Sequence, residues 1–282
     1  MSVRLGVLLA AVFAAIAMLS PLLGVPVYGR FFGHDADFAL TALRFMSDAW
    51  AEGDPWPRWV MDSNYGLGAA TFYTYPPLAY WAGAALRRLT GLDIPGTLGL
   101  GMALWRGVFL LGCYAWLRRH APPGPALAAA ALAGLLPYAA LVNPWIRFGY
   151  AEVAGTALLP FLLLAIERAC EQRREAGLPA LALGFAALAL THMPTCVLMA
   201  HLGPLYAWAY GGRRGALRCI AGGVAGAGLA ACFVLPAFGL LPELSFHETS
   251  GEFWHGSLLF YGLPSGTVAW VMFQCIVWTA AI

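Results

Sequence analysis

Lysine is absent from this chain: all sixteen basic residues are arginine. With the excess of alanine and glycine, that points to a GC-rich genome rather than to a function. Charge of either sign is scarce. Only 11% of the residues are charged and 61% are hydrophobic, against roughly 25% charged in an ordinary soluble domain, which excludes a water-soluble globule of this length. A net charge of +2, with no basic cluster interleaved with aromatics, offers no surface to nucleic acid. The six cysteines (Cys113, Cys170, Cys196, Cys219, Cys232 and Cys275) are scattered, mostly inside apolar runs, without a CxxC pair. That spacing supports neither a disulfide framework nor a zinc site. Internal repeats, low-complexity linkers and a soluble second domain are missing too.

Long charge-free runs take their place. The first, Leu5 to Gly29, is 25 residues, enough to cross ~30 Å of hydrocarbon at 1.5 Å per residue. A cleaved signal peptide is the alternative there, but the apolar stretch is long and no small-x-small cleavage site stands out. Later runs are Ala121–Ile146, Val153–Ile166, Ala176–Gly212, Cys219–Pro242 and Gly256–Ile282. Ala176–Gly212 is 37 residues, right for two short spans with an apex near His192, Met193 and Pro194. Its flanks, Arg168, Arg173 and Arg174 before and Arg213, Arg214 and Arg218 after, are basic and therefore cytoplasmic by the positive-inside rule. Working outward, Val153–Ile166 descends, Ala121–Ile146 rises from an inner Arg118–Arg119–His120, and Ile94–Leu117 descends into that turn. The N-terminus is then cytoplasmic, provided Tyr75–Leu92 lies at the interface instead of crossing. The fold expected is all-α, one polytopic domain over residues 1–282 with about 7–8 transmembrane helices. Its first extracytoplasmic loop spans 30–93 and carries juxtamembrane helices, and a later outer loop spans 243–255. The chain stops in mid-run at Ile282, so an N-terminal fragment of a longer protein is expected.

The one long polar passage runs from Gly33 to Tyr80 and holds Asp35, Asp37, Asp48, Glu52, Asp54 and Asp62. It is rich in aromatics, which suit a membrane–water interface. Apolar spacing predicts a helix from Phe38 to Trp50, lying on the bilayer surface and ended by Gly53, Pro55 and Pro57. Asp35 and Asp37 open that helix. They suit an N-cap, a general base, or a pair of hard oxygen ligands for Mg²⁺ or Mn²⁺; no other cofactor is indicated. Arg147 and Glu152, at the outer end of a run, suit either a phosphate grip or a helix-end salt bridge. Arg106 lies deep within Ile94–Leu117, where an arginine needs a wet cavity, a lipid phosphate or a structural partner. His192 sits at an apex beside Thr191 and Pro194. Glu243, with His247, Glu248, Glu252 and His255, belongs to a polar outer loop without the His spacing of a zincin. Tyr65, Tyr73 and Tyr75, with Pro76 and Pro77, either shape a cleft or anchor the interface.

The order GHD, helix, PRW, NYGLG and FYTYPPLAYW resembles the first outer loop of the GT-C superfamily of membrane glycosyltransferases. It is most similar to the bacterial and archaeal branch whose domain is labelled "6-pyruvoyl-tetrahydropterin synthase-related". NPWIRFGYAEVAGTALLPFLLL, LALTHMPTCVL and VLPAFGLLPEL are similar to later blocks of the same branch, in the same order. Two departures are Ala39, where related chains often carry His, and Phe148, interposed between Arg147 and Gly149. The resemblance implies an inverting enzyme of the inner membrane, moving a sugar from a polyprenyl-phosphate carrier to an acceptor on the extracytoplasmic face. It puts the catalytic base at Asp35, with Asp37 sharing or orienting, and substrate binding at Tyr75, Arg147, Glu152, His192 and Glu243; Arg106 joins the substrate-binding candidates only by its place inside a span. A non-catalytic scaffold, or a lipid or solute transporter of the same fold, is the alternative.

Overall fold

The computed structural model describes residues 3–19, 33–61, 63–171 and 177–243. Helices follow one another in the order α1 (Val3–Leu19), α2 (Ala36–Ala51), the single turn α3 (Thr71–Thr74), α4 (Leu78–Thr90), α5 (Ile94–Leu117) and α6 (Pro123–Leu135). A π-helical segment, Tyr138–Arg147, comes next, then α7 (Tyr150–Cys170), α8 (Gly177–Thr191), α9 (Met193–Leu229) and α10 (Ala231–Gly239). Among the described residues there is no strand, only an isolated bridge between Val60 and Ala69. These residues fall in two compact units, Met1–Ala237 and Phe238–Ile282. In the second, the described part is the end of α10 and a 3-10 turn, Leu241–Glu243. Asp62, Arg173, Arg174, the polar loop beyond Glu243 and the run Gly256–Ile282 lie outside the described residues.

Among the described residues, three helical stretches are long and apolar enough to cross a bilayer: Ile94–Leu117, Pro123–Arg147 and Tyr150–Cys170. Met193–Leu229 with Ala231–Gly239, bent by 77°, makes a fourth if taken as one broken span. The expectation of seven to eight spans is larger. α1 and α8 have only 17 and 15 residues, and α9 is not one rod. At Gly211 and Gly212 its backbone leaves helical geometry, with φ of +63° at Gly212. The chain there doubles back, so that Gly203 on the first arm faces the Cys219 thiol on the second. Contacts between neighbours fix the directions of the others. α5 and α7 run parallel, with Gly101 beside Tyr150 and Trp116 beside Glu167. α8 returns, with Gly177 against Ala169 and His192 against Gly155.

The run read as one span over 121–146 is divided. Leu136 is extended (φ −54°, ψ 138°), as the residue before a proline prefers, and Pro137 has no N–H with which to continue α6. The chain resumes as the π-helical segment. Arg106, at the middle of α5 and only 6% exposed, fills the break. Its Nη1 donates to the Ala139 carbonyl at 2.7 Å and its Nη2 to Gly134 at 3.4 Å. Carbonyls that lost their helical donors thus receive charged ones, which is how a buried arginine is tolerated.

The first loop is no tether. α2 runs Ala36–Ala51, one turn around the helix expected over 38–50, because Ala36, Ala39, Leu43 and Met46 recur at helical spacing and are all buried. They pack with Tyr80 of α4, Leu98 and Met102 of α5, and Tyr150 of α7. Burying a Leu or Met side chain fully stabilises by about 1.5–3 kcal/mol, so α2 and α4 are held against the bundle by their apolar faces. α4 stops at Gly91, which takes the left-handed C-cap (φ +71°). Its thirteen residues end just before α5 begins. Arg87 and Arg88 therefore lie at the opposite end of α5 from Arg118 and Arg119.

Candidate functional site

The C-terminal end of the π-helical segment leaves carbonyls without helical donors, and the first loop supplies them. The N–H of His34 donates to Ile146 O at 3.3 Å, and that of Asp35 to Arg147 O at 2.8 Å. Such contact needs close backbone approach. Gly33 has φ +151°, and a Cβ there would stand 2.8 Å from the Cβ of Phe148 and 3.0 Å from the carbonyl carbon of Arg147. Phe148 itself turns the chain in the left-handed region (φ 55°, ψ 43°), uncommon for a residue with a Cβ and a strain that a buried side chain must hold; its ring is 1% exposed.

This junction opens a cleft of about 280 Å³ lined by Asp35, Phe38, Tyr75, Arg147, Gly149, Glu152 and His192. Five of the residues singled out from the sequence, Asp35, Tyr75, Arg147, Glu152 and His192, meet here from four parts of the fold. Three do not. Asp37 is exposed in the first turn of α2 and does not line the cleft. Arg106 borders a separate cavity of about 50 Å³ with Tyr138 and Asn143. Glu243 belongs to the second compact unit and is described there alone, closing its 3-10 turn.

Within the cleft the two carboxylates differ. Both oxygens of Glu152 are occupied: Oε1 accepts from the Tyr138 hydroxyl at 2.5 Å and Oε2 from Arg147 Nη1 at 2.7 Å. The same Nη1 donates to the Tyr138 oxygen at 2.8 Å, closing a three-membered network. Asp35 stands 3.7 Å from Arg147 Nη2, and its side chain is 47% exposed against 16% for Glu152. It occupies the N-cap of α2, yet its side chain makes no capping bond. Asp35, held among the described residues by this longer ion pair with Arg147, is the carboxylate more open to a ligand. One guanidinium against two carboxylates leaves the cleft with an excess of one negative charge.

His192 is the N-cap of α9. Its Nδ1 lies 3.4 Å from the Thr195 N–H, which can only donate, and 2.6 Å from the Thr195 hydroxyl. Nδ1 is therefore the acceptor, and the ring proton sits on Nε2. Burial pushes the His192 pKa below its ordinary value, opposed by Glu152, so the ring is a neutral donor near pH 7. Gly155 admits it: a Cβ at that position would come within 2.7 Å of His192 Cβ. Burial likewise pushes the Tyr75 hydroxyl up to about 12, which keeps it protonated. Among the described residues no three of His, Cys, Asp and Glu are grouped to hold a metal ion.

Two features escape the sequence. Tyr138 bridges Arg147 and Glu152, but it stands nine residues before Arg147 in an apolar run, and only the π-helical winding brings the two together. Glu167, in α7, is wholly buried at the other end of the bundle. It accepts from Trp116 at 2.7 Å, Arg119 at 2.6 Å and Tyr206 at 2.6 Å, and lies 2.8 Å from His120 Nε2. The inner turn Arg118–Arg119–His120 was its only visible signal.

The family described as "6-pyruvoyl-tetrahydropterin synthase related domain; membrane protein" matches residues 72–263, more than half of the chain. The matched stretch includes Tyr75, Arg106, Arg147, Glu152, His192 and Glu243 and begins after Asp35 and Asp37. No curated protein matches the sequence.

Proposed function

The chain belongs to the 6-pyruvoyl-tetrahydropterin synthase related family of membrane proteins, and on that premise we propose that it is an integral-membrane glycosyltransferase. It transfers a sugar, with inversion, from a polyprenyl-phosphate donor to an acceptor on the extracytoplasmic face. The supporting observation is the cleft in which Asp35, half-exposed, stands beside Arg147, Glu152 and His192. In this reading α1, α5, α6 with the π-helical segment, α7, α8 and both arms of α9 all cross the inner membrane. The N-terminus is cytoplasmic, and the cleft faces outward.

The step is a single displacement. The acceptor hydroxyl gives its proton to Asp35, its oxygen attacks the anomeric carbon, and the bond from that carbon to the phosphate oxygen breaks. Polyprenyl phosphate leaves with the electron pair. The donor is a phosphodiester with one negative charge and the leaving group a monoester that gains another. Protonation of Asp35 removes one negative charge from the protein as the phosphate gains one, so the total charge of cleft and substrates is unchanged by the step. Arg147, with Nη1 committed to Glu152 and Tyr138, meets the phosphate through Nη2. The Nε2–H of His192 serves a sugar or acceptor oxygen. Arg106 supports the broken helix and stays out of the substrate site.

Transport has one observation in its favour, the break between α6 and the π-helical segment beside a buried arginine. The cavity there, about 50 Å³, is too small to pass a sugar, and its arginine is bonded to backbone. The test is to supply membranes containing the protein with labelled polyprenyl-phosphate sugars and measure release of the lipid phosphate. Release above that of membranes lacking the chain supports transfer; donor lipids that stay intact across a range of sugars and acceptors sink it.

A further inference from the structure

A third cavity, of about 390 Å³, opens between α2 and α4, lined by Ser47, Trp50, Ala84, Arg87, Arg88 and Leu92 among others. No carboxylate lines it. Asp48, next to Ser47, is paired with Arg44 at 3.5 Å. Neither the Arg87 nor the Arg88 side chain has a hydrogen bond or ion pair among the described residues, and Arg87 Nε is buried without a partner. Two guanidiniums bordering one polar cavity repel each other, and a buried N–H left unmade is costly. Both defects are removed by an anion between them. Ser47 and Trp50 direct their own protons to the Leu43 and Pro55 carbonyls, so the arginines are the donors that remain.

We propose that this groove binds a phosphate group, held by the planar N–H pairs of Arg87 and Arg88. Arginine matches phosphate oxygens with two parallel bonds, and a phosphate has oxygens enough to accept from both guanidiniums at once, which a halide or a single two-oxygen carboxylate does not. The phosphate belongs either to a lipid head group of the bilayer or to a free solute; the chemistry recognised is the same. The site is separate from the cleft at Asp35. Ser47 is twelve residues further along α2, roughly 18 Å at 1.5 Å per residue. It does not rest on the transferase reading. The simpler account is that two arginines in the last turn of α4 merely complement the helix dipole; that account expects no ligand.

The full chain in dodecyl maltoside micelles, which carry no phosphate, alone or with added phosphatidic acid, separates these. Binding of inorganic phosphate is measured by calorimetry, and retention of phosphatidic acid by native mass spectrometry. Retention of the lipid alone assigns the site to a bilayer head group, and binding of inorganic phosphate alone assigns it to a free solute. In either case the Arg87→Gln/Arg88→Gln double variant should bind at least about tenfold more weakly, and Arg44→Gln should bind as wild type does. A double variant that binds equally well, or a wild type that binds neither, overturns the proposal. Should the double variant fail to fold, phenylglyoxal modification of the wild type decides. Protection of Arg87 and Arg88 but not Arg44 by either phosphate source supports the site, and equal modification with and without phosphate overturns it.

Discussion

His192 is held neutral by burial, and that has a pH consequence. Its folded pKa lies below the ordinary value, so between the two values the unfolded chain binds the proton that the folded chain refuses. Stability is therefore complete above about pH 6.5 and is lost as pH falls through the folded value. Thermal unfolding midpoints should drop on acidification below about pH 6.5 in the wild type, and less steeply in His192→Gln. Identical pH slopes would show that the ring does not titrate against folding. At this scale the sequence was informative where a polar residue interrupts hydrocarbon near the end of a run. Asp35, Arg147, Glu152 and His192 announce themselves in that way, and the fold brings them to one cleft. Tyr138 does not, because a tyrosine in an apolar run reads as an interface anchor. Arg106 was visible as an anomaly, but its partners are backbone carbonyls, which carry no signature in side-chain identity.

Among the elements, the broken α6 and the hairpin inside α9 follow from local chemistry that a charge-free run conceals. Leu136–Pro137 forbids helical continuation, and Gly211–Gly212 permits the reversal. Both dipeptides are plain in the sequence, yet neither interrupts hydropathy. Glu167 escaped for the opposite reason. It sits beside Arg168 at a basic flank and reads as solvated, until α5 and α7 run parallel and bring Trp116, Arg119 and His120 onto it. Its burial makes it a fastener of α5, α7 and α9 at that end. Arg119 is part-exposed and keeps Glu171 as a partner, so losing the carboxylate strands chiefly the Trp116 and Tyr206 donors. Glu167→Ala should then cost about 3 kcal/mol, measured as a loss of unfolding free energy in detergent micelles. A cost below about 1 kcal/mol would mean that water reaches the cluster freely.

For the whole molecule, alternating helix directions place the Asp35 cleft and the Arg87–Arg88 groove at one end and the Glu167 cluster at the other. α4 is thirteen residues long and packs on α2, so its arginines remain at the cleft end, which in the proposed topology departs from the usual charge bias of membrane loops. In a cysteine-free background, Ser63→Cys and Thr90→Cys should label with an impermeant reagent from outside, and Arg214→Cys should not. Labelling of Ser63→Cys and Arg214→Cys together with silence at Thr90→Cys would put α4 across the membrane. The activity of the whole molecule is tested most directly at Asp35. Because its side chain makes no capping bond, Asp35→Asn should leave folding unchanged and donor binding nearly so, while removing the charge that receives the proton. Initial rates of lipid-phosphate release from a labelled polyprenyl-phosphate sugar should fall by roughly 10²–10⁴-fold. A folded Asp35→Asn protein that releases the lipid phosphate at the wild-type rate would contradict the assignment of the base, and with it the transferase reading of the cleft.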